Sequence, residues 1–316
     1  MIDDSMKPPV AKPRLLPELR ARVLALRRTQ SARAVAQALS IPLGTVKAIS
    51  SRAGITRNNT MLRAFFRLPE PVASTCTDLQ PPVAPPQPEA VTGDNDLDAV
   101  LWLRQVVQTG DAAMIDKAMR AAERIKTPAK VLEQRYGDFL MRASNGNTMQ
   151  AVFGSIGFAN LKGLAERTLD KQRRRAEALA RLGGSVDSVF ATLPQEQFCM
   201  DVLALVLVAT KGWREYDQAQ ANAAFAQHQD LAPHTLADCM IELDFWDALY
   251  HLRHGWDNAG DDLPEVNARR HYIEAHCLAT IRPKTRDEAK AVLRYMAAHE
   301  MFDRNETDAV LENLIG

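Results

Sequence analysis

Apolar positions recur at three- and four-residue intervals through most of the chain, which is the signature of amphipathic helices. In "LDAVLWLRQVV", Leu97, Val100, Leu101 and Val107 fall at helical spacing together with Arg104. The next pattern, "TPAKVLEQRYGDFLMRA", has Thr127 as a natural cap and Pro128 at the tolerated first helical position. Asn160 is placed to cap "NLKGLAERTLDKQRRRAEALARLGG", and Gly183 and Gly184 to stop it. Thr285 and Glu288 have the spacing of a capping box, and a last short helix follows Asn305. The longest apolar stretch, Phe198 to Thr210, is broken by Asp201. It is too short to span a bilayer, which needs about 20 residues, so it predicts a buried helix. No run alternates with a period of two, and the expected fold class is all-α.

Proline interrupts this helical pattern once on a large scale. Residues 68–98 hold seven prolines and six acidic residues with no Lys or Arg. Proline fixes φ and removes a backbone donor, so this segment predicts an extended, semi-rigid acidic linker. It divides the chain into a head of residues 1–67, the linker itself, and a helical body of residues 99–316.

Within the head the apolar spacing is more specific. Over residues 32–55, "ARAVAQALSIPLGTVKAISSRAGI", Val35, Ala36 and Leu39 form the inner face of one helix. Ile41 plugs a turn, and Val46 and Ile49 form the inner face of a second helix. Such spacing locks two helices at a steep angle, with the small Ala36 where they cross. It turns Leu43, Gly44, Lys47, Ala48 and Ser51 outward. An upstream helix, "LPELRARVLALRRTQ", offers Leu19, Val23 and Leu26 as a third packing surface.

Charge changes the picture. The chain is neutral overall, yet its first 67 residues carry thirteen Lys and Arg against Asp3, Asp4 and Glu18. The remainder is correspondingly acidic, so a polyanion partner is expected for the head alone. A plain helical hairpin would satisfy the apolar spacing. The coincident positive charge is what points to duplex DNA, because phosphate attraction sustains nearly all non-specific binding. Arg20, Arg22, Arg27, Arg28, Arg33, Arg52 and Arg57 are the expected phosphate contacts. Few side chains remain for base discrimination, so a symmetric dimer reading two half-sites is expected.

"LSIPLGTVKAISSRAG" resembles the DNA-reading segment of region four of extracytoplasmic-function sigma factors, where a similar "IPLGTVK" run recurs, and helix-turn-helix regulators more generally. The resemblance implies that Leu43, Gly44, Thr45 and Lys47 lie near DNA, with Ser51 and Arg52 further along the same helix. It extends over residues 32–55 only, and nothing corresponds to the promoter-melting region that a sigma factor also needs. Ser40 stands where the turn of such motifs usually has glycine.

The body offers architecture and little chemistry. Arg167, Lys171, Arg173, Arg174, Arg175 and Arg181 form a second basic run. Acidic residues three or four positions away predict a solvated, paired face there. His251 and His254, with His271 and His276, lack the companion ligands of a zinc site, and no metal or cofactor is expected. No GxSxG, phosphate loop or cysteine signature points to an enzyme. Trp213, Trp246 and Trp256 with Phe245 and Tyr250 read as core. Four scattered cysteines and an N-terminus without an apolar segment predict a cytoplasmic protein without a secretory signal. The expectation is a DNA-binding transcriptional regulator. Its body would oligomerise, bind an effector, or meet RNA polymerase or another protein, away from any membrane. The alternative is a phage DNA-packaging adaptor resembling a small terminase.

Overall fold

The computed structural model describes residues 17–30, 32–53, 58–72, 84–144, 148–206, 216–256 and 259–315. The protein is all-α, with no strand among the described residues. The first helices are α1 (Pro17–Thr29), α2 (Ala32–Ala38), α3 (Leu43–Arg52) and α4 (Thr60–Phe65). They are followed by α5 (Asn95–Gln108), α6 (Ala112–Ala122), α7 (Ala129–Ala143), α8 (Thr148–Ser155), α9 (Leu161–Leu182) and α10 (Val186–Phe190). The chain continues with α11 (Pro194–Leu203), α12 (Gln218–Gln227), α13 (Leu236–Arg253) and α14 (Pro264–His271). It ends with α15 (Leu278–Thr280), α16 (Arg286–Ala298) and α17 (Thr307–Ile315). No helix is long and apolar enough to cross a membrane among the described residues.

Two compact units share the chain. One boundary falls between Arg67 and Leu68, where the proline-rich stretch begins, but none falls at residue 98, and residues 99–316 are split between the two units. The first unit is Met1–Arg67 with Thr192–Asp247 and Asp262–Gly316; the second is Leu68–Ala191 with Ala248–Asp261. In the first unit, α4 carries residues of the head into the core of the C-terminal half. Phe66 is buried, edge-on to Phe245 and Trp246 with centroids 5.6 Å away from each. Just before it, the Asn59 side chain accepts from the backbone N–H of Met61 and Leu62, capping α4. The same amide donates to the carbonyls of Asp230 (2.8 Å) and Ala232 (2.9 Å). Asn59 N–H donates to the buried Asp238 carboxylate at 3.0 Å, and Arg63 Nε donates to it at 2.6 Å. Asp238 also caps its own helix, accepting from His234 N–H and Thr235 N–H.

The heart of this unit is an ion pair. Arg269 and Glu242 are both fully buried, bonded at 2.6 Å (Nε to Oε1) and 2.8 Å (Nη2 to Oε2). Burial works against the guanidinium charge, but Glu242 outweighs it through charge and hydrogen bonding, so the Arg269 pKa stands above its ordinary value. The rings of Phe66, Phe198, Phe225 and Tyr272 surround the guanidinium carbon at 5.1–5.8 Å. Arg269 lies one turn before a six-residue π-helical stretch, Tyr272–Cys277, inserted between α14 and α15.

In the second unit, α5, α6 and α9 bury Leu103, Val106, Val107, Ile115 and Leu161 together. A second cluster joins Leu97, Val100, Leu132 and Phe158. Asn160 caps α9 by accepting from Gly163 N–H, as expected from the sequence. Gly183, at φ 112°, ends α9 in the left-handed conformation that glycine tolerates best.

Four local expectations need correction. Helix α5 begins at Asn95, inside the expected linker, because Asp94 caps it by accepting from Asp96 and Leu97 N–H. The acidic residues there sit in a helical first turn, where the helix dipole favours them. The described parts of the proline-rich stretch are bonded to the second unit: Trp102 Nε1 donates to Pro86 O, and Arg181 to Pro69 O. Thr127 does not cap α7; its hydroxyl donates to Asp96, and α7 starts after Pro128 without a side-chain cap. The apolar run from Phe198 does not stay helical to Thr210: α11 ends at Leu203, and Leu205 is 96 % exposed. Residues 207–210 of that run, and Trp213 beyond it, lie outside the described residues.

Candidate nucleic-acid interface

Helices α1, α2 and α3 close around Val23, Val35, Val46 and Ile49, with Leu26, Ala36, Leu39 and Ile41 packed against them. All of these are expected from the apolar spacing, the crossing residue Ala36 included. Leu19, expected beside Val23 and Leu26, is not in the cluster, and Leu24 of α1 packs there instead. Between α2 and α3 the chain turns through Ser40, whose φ is +50°. A side chain with a Cβ pays roughly 1 kcal/mol or more in this left-handed region. Ile41 N–H closes the turn by donating to Ala36 O at 3.0 Å. Ser40→Gly is therefore expected to stabilise the three-helix unit by about 0.5 kcal/mol, after the greater freedom of glycine in the unfolded chain is subtracted. Denaturant unfolding checks this.

Helix α3 buries one side and bares the other. Val46, Ile49 and Ser50 are buried, whereas Gly44, Lys47, Ala48, Ser51 and Arg52 are exposed. Leu43 and Thr45 are half-buried. A Cβ placed on Gly44 would meet nothing within 4 Å, so the first turn of α3 is open to a close approach. Pro42 precedes α3 without a side-chain cap. The positive end of the helix dipole at that terminus favours an anion.

The expected phosphate contacts separate into groups. Arg20, Arg22 and Arg33 are exposed, as is Arg52 at the far end of α3. Arg27 is half-buried and braces the fold. Its Nε donates to Ser50 Oγ at 3.2 Å, and its guanidinium donates to Gln30 O. Ser50 Oγ in turn donates to Val46 O at 2.8 Å, so Arg27 ties α1 to the buried side of α3. Partial burial lowers its pKa from the ordinary arginine value. Sequence alone does not separate Arg27 from its neighbours, because its partner Ser50 lies 23 residues away. Arg57 lies outside the described residues, and so does the side chain of Arg28.

An open groove of about 850 Å³ lies in the same unit. Leu24 of α1, Asn58 and Met61 at α4, and His234, Tyr272 and His276 of the C-terminal half line it. Partial burial holds the His276 imidazole below its ordinary pKa, which leaves it neutral at pH 7. No group of three or more His, Cys, Asp or Glu that could hold a metal ion occurs among the described residues. In the second basic run, Arg173 pairs with Asp170 and Arg181 with Glu177. Arg175 leaves that face: it donates to Gly255 O at 2.5 Å and lies over the Trp256 ring at 5.8 Å.

Comparison with protein-family models, curated proteins and solved structures finds no match for this chain.

Proposed function

We propose that the protein binds duplex DNA through α3 and acts as a transcriptional regulator. The observation that carries this reading is the exposed stripe Gly44, Lys47, Ala48, Ser51 and Arg52, on a helix held from behind by α1 and α2. It lies in the most basic segment of the chain. Major-groove readers need a rigid helix whose outer face combines small residues, which allow close approach, with donors that reach base edges or phosphates. Gly44 and Ala48 supply the first, and Lys47, Ser51 and Arg52 the second. Arg20, Arg22 and Arg33 add backbone contacts that position the helix without reading sequence. The groove lined by Tyr272 and His276 gives a small effector a place to act on the same unit.

The test separates reading from positioning. Lys47→Ala in the full-length chain is expected to lower the preference for a selected site over random DNA by about 5- to 100-fold, the scale of one base contact. Arg33→Ala should weaken both DNAs about equally. Equal losses on both DNAs for both variants would remove α3 from a reading role.

A further inference from the structure

Helix α8 is built inside out. Its small residues face α7: a Cβ on Gly154 would lie 2.7 Å from Leu140 Cδ1, and one on Gly137 would lie 3.4 Å from Ser155 Oγ. A side chain at position 154 would have to displace the tip of Leu140, so glycine there eases the packing of α8 on α7. The large apolar residues point the other way. Met149, Val152, Phe153 and Ile156 are 66, 49, 68 and 69 % exposed. They stand at i, i+3, i+4 and i+7, the spacing of a single helical stripe that globular proteins turn inward. Ile156 keeps the helical register, its N–H donating to Val152 O at 3.3 Å.

We propose that this stripe is the contact between two copies of the chain, related by a two-fold axis with α8 against α8. Charge argues for a second copy. From Ala143 to Asn160 there is no Lys, Arg, Asp, Glu or His, in a chain of which 25 % is charged. A two-fold axis brings the same patch to both sides of a contact, so a charged face would meet its own sign, while this one carries no such penalty. A nucleic acid or an anionic membrane would call for cations on the stripe. The segment itself carries none, and the neighbouring Arg104 is engaged with the carbonyls of Gly157 and Phe158. Area agrees. Four apolar side chains of this size, half to two-thirds exposed, offer on the order of 400–500 Å². That reaches the size of the largest apolar patches on monomers and fills the dry centre of a standard contact, which takes about 800 Å² from each partner. On the DNA reading, α3 also has few base-reading side chains, and a second copy supplies the second half-site.

Sedimentation of the full-length protein without DNA tests this, so its failure is separable from failure of the DNA reading. The native chain is expected to be a dimer with a dissociation constant in the micromolar range. Phe153→Glu with Ile156→Glu buries unpaired carboxylates at the contact and should weaken it by on the order of 100-fold. Because both positions are exposed within one chain, the helical circular dichroism of the variant and its thermal midpoint at high dilution should match those of the native protein. Lys47→Ala should leave the dimer intact. A native protein monomeric at 100 µM would overturn the proposal. So would a dimer that survives the double substitution, or a closed ring of more than two copies.

Discussion

Glu242→Leu, with Arg269 left in place, will destabilise the protein by about 3–5 kcal/mol, because it strands a guanidinium in the core. The pair is fully buried and bidentate, at 2.6 and 2.8 Å. Among the described residues, the one other hydrogen-bond partner of Arg269 is the Leu231 carbonyl at 2.9 Å. A desolvated cation–π contact is worth about 2 kcal/mol or more. But the rings carry no negative charge and accept none of the hydrogen bonds that Glu242 takes, so they do not replace the carboxylate. Trp246 Nε1 would also lose Glu242 Oε1, now 3.4 Å away. The double variant Arg269→Met, Glu242→Leu removes both charges, and much of the lost stability should return. Urea unfolding of the native protein and the two variants checks this. A loss below about 1 kcal/mol in the single variant, or no recovery in the double, would show that the pair does not organise this core.

Phe66→Ala is the second large effect, expected to cost about 3–5 kcal/mol, the usual range for a buried phenylalanine. Phe66 is 2 % exposed, meets Phe245 and Trp246 edge-on, and faces the Arg269 guanidinium at 5.8 Å. Its removal leaves a cavity beside the buried ion pair, which cannot collapse around a charge. The same contacts predict the behaviour of fragments. A chain beginning at residue 99 lacks both Phe66 and the Asn59 amide, and so exposes the Trp246 core. Apolar-dye binding and lowered cooperativity on unfolding are expected for it. A fragment from residue 99 as stable as the full chain would contradict this, as would a Phe66→Ala variant of native stability.

These two sites also show where sequence reading stops. The three-helix unit was legible because its contacts are local: Val35, Ala36, Ile41, Val46 and Ile49 lie within 15 residues, and helical period alone brings them together. Ser40 in place of glycine was legible too, and its positive φ follows from the turn's geometry. The role of Asn59 to Phe66 was not legible, because Asp238 lies 179 residues from Asn59. The prolines after Leu68 do mark a boundary between units, but the aromatic packing of Phe66 joins the head to residues of the C-terminal half, which no local pattern shows. Arg269 sits in "NARRH", which reads as a basic surface turn, and nothing local shows that four rings and a carboxylate enclose it. "MQAVFGSI" reads as a core helix. Its exposure depends on which face α7 takes, and the small residues decide that. In the candidate interface, the outward turn of Gly44, Lys47, Ala48 and Ser51 followed from the helical period, whereas Leu43, also expected outward, is half-buried. The bracing role of Arg27 depended on Ser50, which only the fold brings near.

If the exposed, basic side of the three-helix unit meets the phosphates of duplex DNA, binding must depend on salt. Titrating the full-length protein into a fluorescent 30-base-pair duplex over a series of salt concentrations tests this most directly. With Arg52 and the exposed arginines of α1 and α2 neutralising phosphates, the logarithm of the binding constant should fall linearly with the logarithm of salt. Each contact contributes a slope of about −0.9, so four to six contacts give roughly −4 to −5. The Arg33→Ala, Arg52→Ala double variant should reduce that slope by about 2. No binding at low salt, or binding whose affinity does not change with salt, would contradict a DNA-binding role for this face.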